Sequence, residues 1–309
     1  MNKNFEKALS YEEDENYTEA FNFYSIAANE NYLPAHEMLG YYYMFGDGIP
    51  VDFKASYDHF LIAAENGMEE SQYMIGEHYA LGKAVPFNPV KAFEWYKKSA
   101  ENGYPEAQSQ TALCYAYGNG VEKDDKEAFI WFKKSAEQND PRGTSGLGAC
   151  YLKGNNCEKD YHKAFELFRK AANLGDGTGI YNLGMCYSKG WGCDMDLQQA
   201  FKCFHVAAED CDYSPAKYKL ATFYETGQGC DTNKKAATEW YLNAAGDGDA
   251  KAQFSVACMY FYGENLEKDI KKAGKWCALA AKQGLPEAKQ LLAQINSDLP
   301  NPLFKMFMQ

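Results

Sequence analysis

The sequence predicts an all-α fold, a right-handed α-solenoid of about eight helix–turn–helix repeats followed by a C-terminal capping helix. Three observations carry this prediction. A residue pattern returns every 36 residues, with one step of 37; small and aromatic residues recur at helical spacing within it; and glycines recur where each helix should end. A chain with this periodicity grows by stacking repeats rather than by enlarging one core.

The repeat sets the predicted domain organisation. Repeats start near residues 1, 35, 71, 107, 143, 179, 216 and 252. Residues 1–298 are therefore expected to form one repeat domain, whose last element is a capping helix over residues 286–297. That helix should stop near Asp298, because the prolines that follow cannot continue it. Residues 299–309 form a separate apolar tail.

The first helix of each repeat is defined by its apolar face. Counting the start of a repeat as position zero, position four is aliphatic in most repeats, position five is small, and position eight is a tyrosine in every complete repeat, as in Leu39, Gly40 and Tyr43. This spacing places the three side chains on one helical face. Glycine ends the helix by adopting the left-handed conformation. These glycines are Gly46, Gly82, Gly118, Gly154, Gly190, Gly227 and Gly263.

The second helix begins with a polar residue that can cap it, since its side chain accepts from free backbone N–H groups. The predicted caps are Asp52, Asn88, Asp124, Asp160, Asp196, Asn233 and Asp269. An alanine, large aromatic rings and a small pair such as Ala63-Ala64 follow. In the N-terminal repeat, residues 4–13 supply the first helix and Asn16 caps the second.

Together these residues resemble a known repeat. The pattern A-x3-LG-x2-Y-x2-G-x-G-V-x3-D-x2-K-A-x2-W-[YF]-x2-A-A-x2-G is similar to the Sel1-like repeat, a relative of the tetratricopeptide repeat, over about residues 4–297. Asn156 and Asn265 replace the second turn glycine, and Cys211 stands where a closing glycine is usual. The resemblance implies an adaptor or scaffold in which the first helices line a concave groove.

The same resemblance implies which residues bind the partner. Positions two, six, nine and ten of the first helix would face the groove. The predicted partner-binding residues are Tyr41, Phe45, Tyr73, Glu77, Leu81, Leu113, Tyr117, Lys153, Tyr181, Met185, Lys189, Tyr218, Phe254, Phe261 and Tyr262. An aromatic concave surface suits peptide capture, and Lys153 and Lys189 could hold one carboxylate. Any single ring could instead pack against the preceding repeat.

Charge and hydropathy narrow the function classes. The net charge is −12, and Arg142 and Arg169 are the only arginines, so no basic patch for nucleic acid is expected. An acidic surface favours a basic or apolar protein or peptide partner. The first residues lack the apolar segment of a secretory signal, and no apolar run reaches membrane-spanning length. We therefore expect a cytoplasmic protein without membrane insertion.

Catalysis is the alternative function. Ser214 and Lys217 match the S-x-x-K motif of β-lactamase-type enzymes, and some cysteine-rich relatives have been linked to penicillin binding. A hydrolase acting on a peptidoglycan-like or β-lactam substrate is thus the alternative reading. The composition predicts about one such match by chance, and neither S-D-N nor K-T-G accompanies it. We predict a protein that is not an enzyme and has no catalytic residues; a purely structural subunit is a third possibility.

The ten cysteines indicate neither a metal site nor a cofactor. Their spacings do not match zinc signatures, and without a signal peptide the reduced state is favoured. A disulfide within one repeat, Cys150–Cys157 or Cys186–Cys193, is geometrically conceivable. No metal and no cofactor are predicted.

The C-terminal tail is unusually apolar, with Leu303, Phe304, Met306, Phe307 and Met308 among its last seven residues. Leaving such side chains in water forgoes about 1.5–3 kcal/mol for each one that could be fully buried. We therefore expect the tail to dock. It either covers the last hairpin as a cap or inserts into a groove, its own or a neighbour's, which would permit self-association.

Overall fold

The computed structural model describes residues 2–298, and the predicted tail at residues 299–309 lies outside the described residues. Every regular element in the described part is an α-helix, which confirms the predicted fold class. The chain divides into two compact units, Met1–Lys159 and Asp160–Gln309, here called the N-terminal and C-terminal units. The boundary falls in the turn between two helices of one repeat.

The N-terminal unit contains nine helices in its described residues. They are α1 (Lys3–Glu13), α2 (Tyr17–Asn29), α3 (Leu33–Phe45), α4 (Phe53–Glu65), α5 (Glu69–Leu81), α6 (Pro89–Glu101), α7 (Pro105–Tyr117), α8 (Asp125–Glu137) and α9 (Pro141–Lys153). Helix α1 begins one residue before the predicted start. Each helix packs against its neighbours along the chain, so the core is a series of small clusters rather than one centre.

The C-terminal unit contains eight helices in its described residues. They are α10 (Tyr161–Asn173), α11 (Gly177–Lys189), α12 (Leu197–Glu209), α13 (Ser214–Thr226), α14 (Lys234–Gly246), α15 (Ala250–Tyr262), α16 (Ile270–Lys282) and α17 (Pro286–Asp298). The last helix buries Ala288, Leu291 and Ile295 against α15 and α16. It therefore covers the end of the last hairpin, as the predicted capping helix should.

Helix ends follow the predicted chemistry. The seven predicted glycines each follow the last residue of a first helix with a φ between 65° and 81°. The predicted caps of the second helices all accept hydrogen bonds from backbone N–H groups, as Asp124 does from Glu127 at 3.0 Å. Asn156 and Asn265 replace glycine with φ values of 54° and 64°, which asparagine tolerates better than most residues.

The small residue at position five explains how the two helices of a repeat approach. A Cβ placed on Gly76 would lie 2.6 Å from the ring of Tyr96, and one on Gly40 would lie 2.7 Å from the ring of Phe60. Each ring thus occupies the space that a side chain would take. The ring of the second helix and the glycine of the first form one packing unit.

A polar contact that the sequence analysis did not identify joins the two helices of a repeat. Buried Gln108, at position one, accepts a hydrogen bond from the amide of Gln138 at 3.0 Å and donates to the carbonyl oxygen of Ala100 at 3.2 Å. The same arrangement recurs at Gln72 and Gln253. We call this contact the glutamine clip. Because its amide is paired on both sides, burying it costs little.

Candidate functional site

The N-terminal unit exposes large apolar side chains at one position of its first helices. Phe45, Leu81 and Tyr117, the last residues of α3, α5 and α7, have 64%, 57% and 72% of their surface accessible. All three occupy position ten and directly precede the glycine that ends the helix. Lys153 holds the same position at the end of α9 and is exposed as well. These four predicted residues are free to meet a partner.

Other predicted residues in this unit are half-buried and already have partners. The Tyr41 hydroxyl donates to Glu70 at 2.6 Å, and its ring stacks on Phe45 at 6.1 Å between centroids. Burial and the Glu70 carboxylate raise the pKa of Tyr41. Glu77 accepts from the hydroxyl of Tyr96 at 2.6 Å. These half-buried side chains form the inner part of the same surface, next to the exposed residues.

Tyr73 and Leu113 complete the predicted set in this unit. Both are half-buried, and the Tyr73 ring contacts Tyr96 and Tyr104. Burial raises the pKa of Tyr73 to about 12, with a further contribution from Glu77. Tyr73 is therefore a neutral phenol at neutral pH, and packing rather than charge is what it can offer a partner.

Acidic side chains accompany the apolar ones. Glu37, two residues into its repeat, accepts from the Ser71 hydroxyl at 2.6 Å. Burial raises the pKa of Glu37, the Ser71 hydrogen bond opposes that shift, and the charges of Glu70 and Glu69 add to it. Crowded carboxylates of this kind gain from a cationic neighbour. The first helices of the N-terminal unit thus expose apolar side chains at their C-terminal ends and carry half-buried carboxylates next to them.

The C-terminal unit places its predicted residues differently. Tyr181, Met185, Tyr218, Phe254 and Phe261 are half-buried. Rings from this set pack on neighbouring helices. Two other predicted residues, Lys189 and Tyr262, are exposed, Tyr262 at 62%. The alternative that single rings pack within the fold therefore applies to part of the predicted set.

A cavity in the C-terminal unit brings Lys189 together with two lysines that the sequence analysis missed. Lys189, Lys219 and Lys251, from α11, α13 and α15, line an open cavity of 360 Å³. Burial lowers the pKa of Lys219, and the charges of Lys189 and Lys251 lower it further. We call these residues the lysine cluster. Lys153 lies in the N-terminal unit and is not part of it.

A comparison of the repeats could have identified one of the two missed lysines. Position three, which Lys219 occupies, is neutral in other repeats, as at Met38, Met74 and Gln110. Lys251 precedes its repeat start by one residue, a position that is also basic at Arg142, so it does not stand out in this way. A search for binding residues should therefore look for a charged residue at a position where the other repeats are neutral.

Lys217 of the S-x-x-K motif, which suggested hydrolysis, forms structural ion pairs. Lys217 is 7% exposed and forms ion pairs with Asp212 and, at 2.6 Å, with Asp247. Burial lowers its pKa, but the hydrogen bonds and charges of the two aspartates outweigh burial and leave the pKa raised. The two carboxylates thus favour the charged form of Lys217, which is not the form that accepts a proton. Lys217 and Asp247 stand where other repeats have the glutamine clip.

The cysteines and histidines form no recognisable metal site. Within residues 2–298 no group of three or more histidine, cysteine, aspartate or glutamate side chains could hold a metal ion. No disulfide joins any of the ten cysteines, all of which lie within the described residues, so the conceivable bonds of Cys150 and Cys186 are not formed. Burial raises the pKa of these two thiols to about 11 and about 12. Both are poor nucleophiles at neutral pH.

Across the described part of the chain, none of the helices combines the length and the apolar character needed to cross a bilayer.

Comparison with known proteins agrees with this architecture. The family model for the Sel1 repeat matches eight segments, at residues 2–32, 33–68, 69–104, 105–140, 141–176, 178–210, 214–249 and 250–285. The chain belongs to the Sel1 repeat family. Sel1 repeats mediate protein interactions, and Sel1 repeat proteins are generally not enzymes.

Solved Sel1 repeat structures share the fold. The chain is 29% identical to c5321, a protective antigen of uropathogenic Escherichia coli with an SLR fold, at a TM-score of 0.66; the match covers 96% of this chain and 65% of that one. A Sel1 repeat protein from Oxalobacter formigenes is 26% identical at a TM-score of 0.72, over 79% of this chain and 97% of that one.

Curated relatives share a shorter segment. Chitin synthase regulatory factor 3 of Schizosaccharomyces pombe is 37% identical over 89 residues, which is 28% of this chain and 10% of the relative. The alginate biosynthesis protein AlgK of Azotobacter vinelandii is 31% identical over 84 residues, 27% of this chain and 18% of the relative. The chain therefore spans less than a fifth of the length of these relatives.

Proposed function

We propose that this Sel1 repeat protein is a non-catalytic adaptor that binds a protein or peptide partner on the first-helix faces of its repeats. The observation that carries the proposal is the row formed by Phe45, Leu81 and Tyr117, which we call the apolar row. Large apolar side chains at equivalent, exposed positions of three successive repeats are a pattern typical of an interaction surface. Burying each one against a partner contributes about 1.5–3 kcal/mol.

The acids behind the apolar row define the partner's chemistry. Glu70 and Glu69 repel the half-buried carboxylate of Glu37, and a cation from a partner would relieve this repulsion. The row therefore suits a peptide segment that combines large apolar side chains with lysine or arginine. Chitin synthase regulatory factor 3 is by its name a regulator of chitin synthase, and a binding role without chemistry is compatible with such regulation.

The test compares two variants, in each of which three residues are changed to alanine. Phe45→Ala/Leu81→Ala/Tyr117→Ala removes the apolar row. Val51→Ala/Phe87→Ala/Val90→Ala removes three side chains of the same unit with similar exposure, 50%, 68% and 52%, outside position ten. Both are titrated with short synthetic peptides that pair apolar residues with basic, acidic or neutral ones.

We expect apolar–basic peptides to bind the wild-type chain most tightly. The apolar-row variant should lose at least about tenfold in affinity, since hot-spot truncations commonly exceed that. The control variant should bind as the wild type does. Equal losses in both variants, or no preference among the peptides, would contradict the proposal.

The hydrolase alternative has a separate test. Turnover of a chromogenic β-lactam and of peptidoglycan fragments is measured for the wild type and for Ser214→Ala. We expect no turnover in either case, because Lys217 is held by two carboxylates. Hydrolysis by the wild type that Ser214→Ala abolishes would instead establish the alternative.

A further inference from the structure

We propose that the lysine cluster of the C-terminal unit is a second binding site, which takes an anionic side chain of a peptide together with a neighbouring apolar side chain. This inference rests on the proposed adaptor function. It gives the adaptor a second site, which is basic where the surroundings of the apolar row are acidic. Three lysines from three different helices line one cavity there.

The three lysines have no ionic partner among the described residues. The chain pairs other lysines with nearby acids, and two positions from Lys219 the side chain of Lys217 is held by Asp212 and Asp247. Lys189, Lys219 and Lys251 form no such pair within the described residues. Three like charges in one cavity repel each other, and a bound anion would replace that repulsion with attraction.

The position of Lys219 strengthens the case. It is half-buried in α13, between the other two lysines, and burial together with their charges lowers its pKa. A side chain held in this way has little conformational freedom left to lose when it binds an anion. Asp249 lines an adjoining cavity together with Lys219 and Lys251, and its carboxylate caps α15 by accepting from the backbone N–H of Ala252 at 2.7 Å.

The walls of the cavity explain why a peptide is the favoured occupant. Met185, Phe204 and Tyr218 line the 360 Å³ space beside the lysines. A second cavity of 290 Å³ shares Tyr218, Lys219 and Lys251 with the first. Ser188, Thr222 and Gln228 also line the first cavity, so it offers polar as well as apolar contacts beside the three cations. The two adjoining spaces fit an acidic residue followed by an apolar one. A nucleic acid is disfavoured, because the chain has a net charge of −12 and only two arginines.

Two variants that remove the same number of positive charges test the site. Lys189→Gln/Lys219→Met/Lys251→Gln removes the cluster and keeps the long stem at position 219. Lys202→Gln/Lys235→Gln/Lys275→Gln removes three exposed lysines from second helices of the same unit. The probes are apolar peptides that carry glutamate, phosphoserine or glutamine at one position, and a single-stranded oligonucleotide serves as a generic polyanion.

We expect a charged peptide to bind at least about tenfold more tightly than its glutamine counterpart, with the difference falling at high salt. The ratio of the glutamate and phosphoserine peptides assigns the anionic group as carboxylate or phosphoryl. The cluster variant should lose this preference and the control variant should keep it. Equal binding of charged and neutral peptides, tighter binding of the oligonucleotide, or equal losses in both variants would overturn the site.

The outcome is separable from that of the adaptor proposal. Apolar–basic peptides should bind the lysine-cluster variant as they bind the wild type, and acidic peptides should bind the apolar-row variant unchanged. Loss of acidic-peptide binding in the apolar-row variant would contradict a separate site. Failure of the basic peptides alone would leave the lysine cluster standing.

Discussion

The N-terminal and C-terminal units use one repeat to present two different faces. At position ten the N-terminal unit exposes Phe45, Leu81 and Tyr117 and one cation, Lys153, whereas the C-terminal unit exposes Lys189 and Tyr262 there. Behind the row lie carboxylates, while beside Lys189 lies the half-buried Lys219. The contrast lies at exposed and half-buried positions rather than in the buried core. A repeat can therefore change its binding chemistry without changing its core.

The largest expected effect tests whether the two units share a scaffold. Gly120 and Gly229 have positive φ values, and a Cβ on either would lie 2.0 Å from a backbone carbonyl oxygen of the preceding repeat. We expect Gly120→Ala and Gly229→Ala each to lower the free energy of unfolding by about 3 kcal/mol. Thermal and urea melts measure both losses.

The controls for this pair separate clash from backbone strain. Gly103 and Gly248 also have positive φ values but have open space where a Cβ would be. Gly103→Ala and Gly248→Ala should therefore cost only about 1–2 kcal/mol. A clash variant that is tolerated in one unit and not in the other would show that the two scaffolds differ.

An acid sensitivity is expected from the N-terminal unit. His78 is 1% exposed, its Nδ1 atom has no hydrogen-bond partner, and burial, aided by the charge of Lys83, lowers its pKa from 6.5 to about 4. Between those values the unfolded chain binds the proton and the folded chain does not. The contribution is therefore fully present above pH 6.5 and is lost as pH falls to 4, by up to about 3 kcal/mol.

Melts at a series of pH values between 4 and 7 check this expectation. His78→Leu should reduce the pH dependence without removing it, because burial, with the charge of His36, also lowers the pKa of His59 in the same unit to about 4. His162→Leu, which changes an exposed residue of the C-terminal unit, should keep the wild-type slope. An unchanged slope in His78→Leu would remove His78 as the cause.

A smaller effect is expected where the C-terminal unit replaces the glutamine clip by an ion pair. Lys217→Gln leaves Asp247 and Asp212 without their cation, but both carboxylates keep contact with water. We expect a loss of about 1–2 kcal/mol rather than the larger cost of a fully buried pair. Lys217→Gln/Asp247→Gln recreates the pair found at Gln108 and Gln138 and should recover most of it. No recovery would mean that the two clips are not equivalent.

Much of the fold was predictable, because local chemistry determines it. A glycine after the first helix and an aspartate before the second leave the chain few conformations, as at Gly118 and Asp124. The binding face was less predictable. Tyr41 has the sequence position of a groove residue, yet its hydroxyl is taken by Glu70 of the next repeat. Exposure depends on what a neighbouring repeat supplies, and periodicity does not report that.

The lysine cluster is a second feature that periodicity does not report. The resemblance to tetratricopeptide arrays selected positions two, six, nine and ten, which include Lys189 but exclude Lys219 and Lys251. Their proximity arises from three helices that are far apart along the chain. Only the packing of α11, α13 and α15 brings the charges together.

The glutamine clip bears on how such arrays change over evolutionary time. Its side-chain partners, such as Gln108 and Gln138, lie within one repeat, and its bonds to the preceding repeat reach backbone carbonyl oxygens, those of Ala100 and Gly103. A backbone carbonyl is available whatever sequence comes before. Duplication or deletion of a whole repeat would therefore leave each clip complete, and an array built this way can lengthen or shorten by recombination without needing compensating substitutions at this contact.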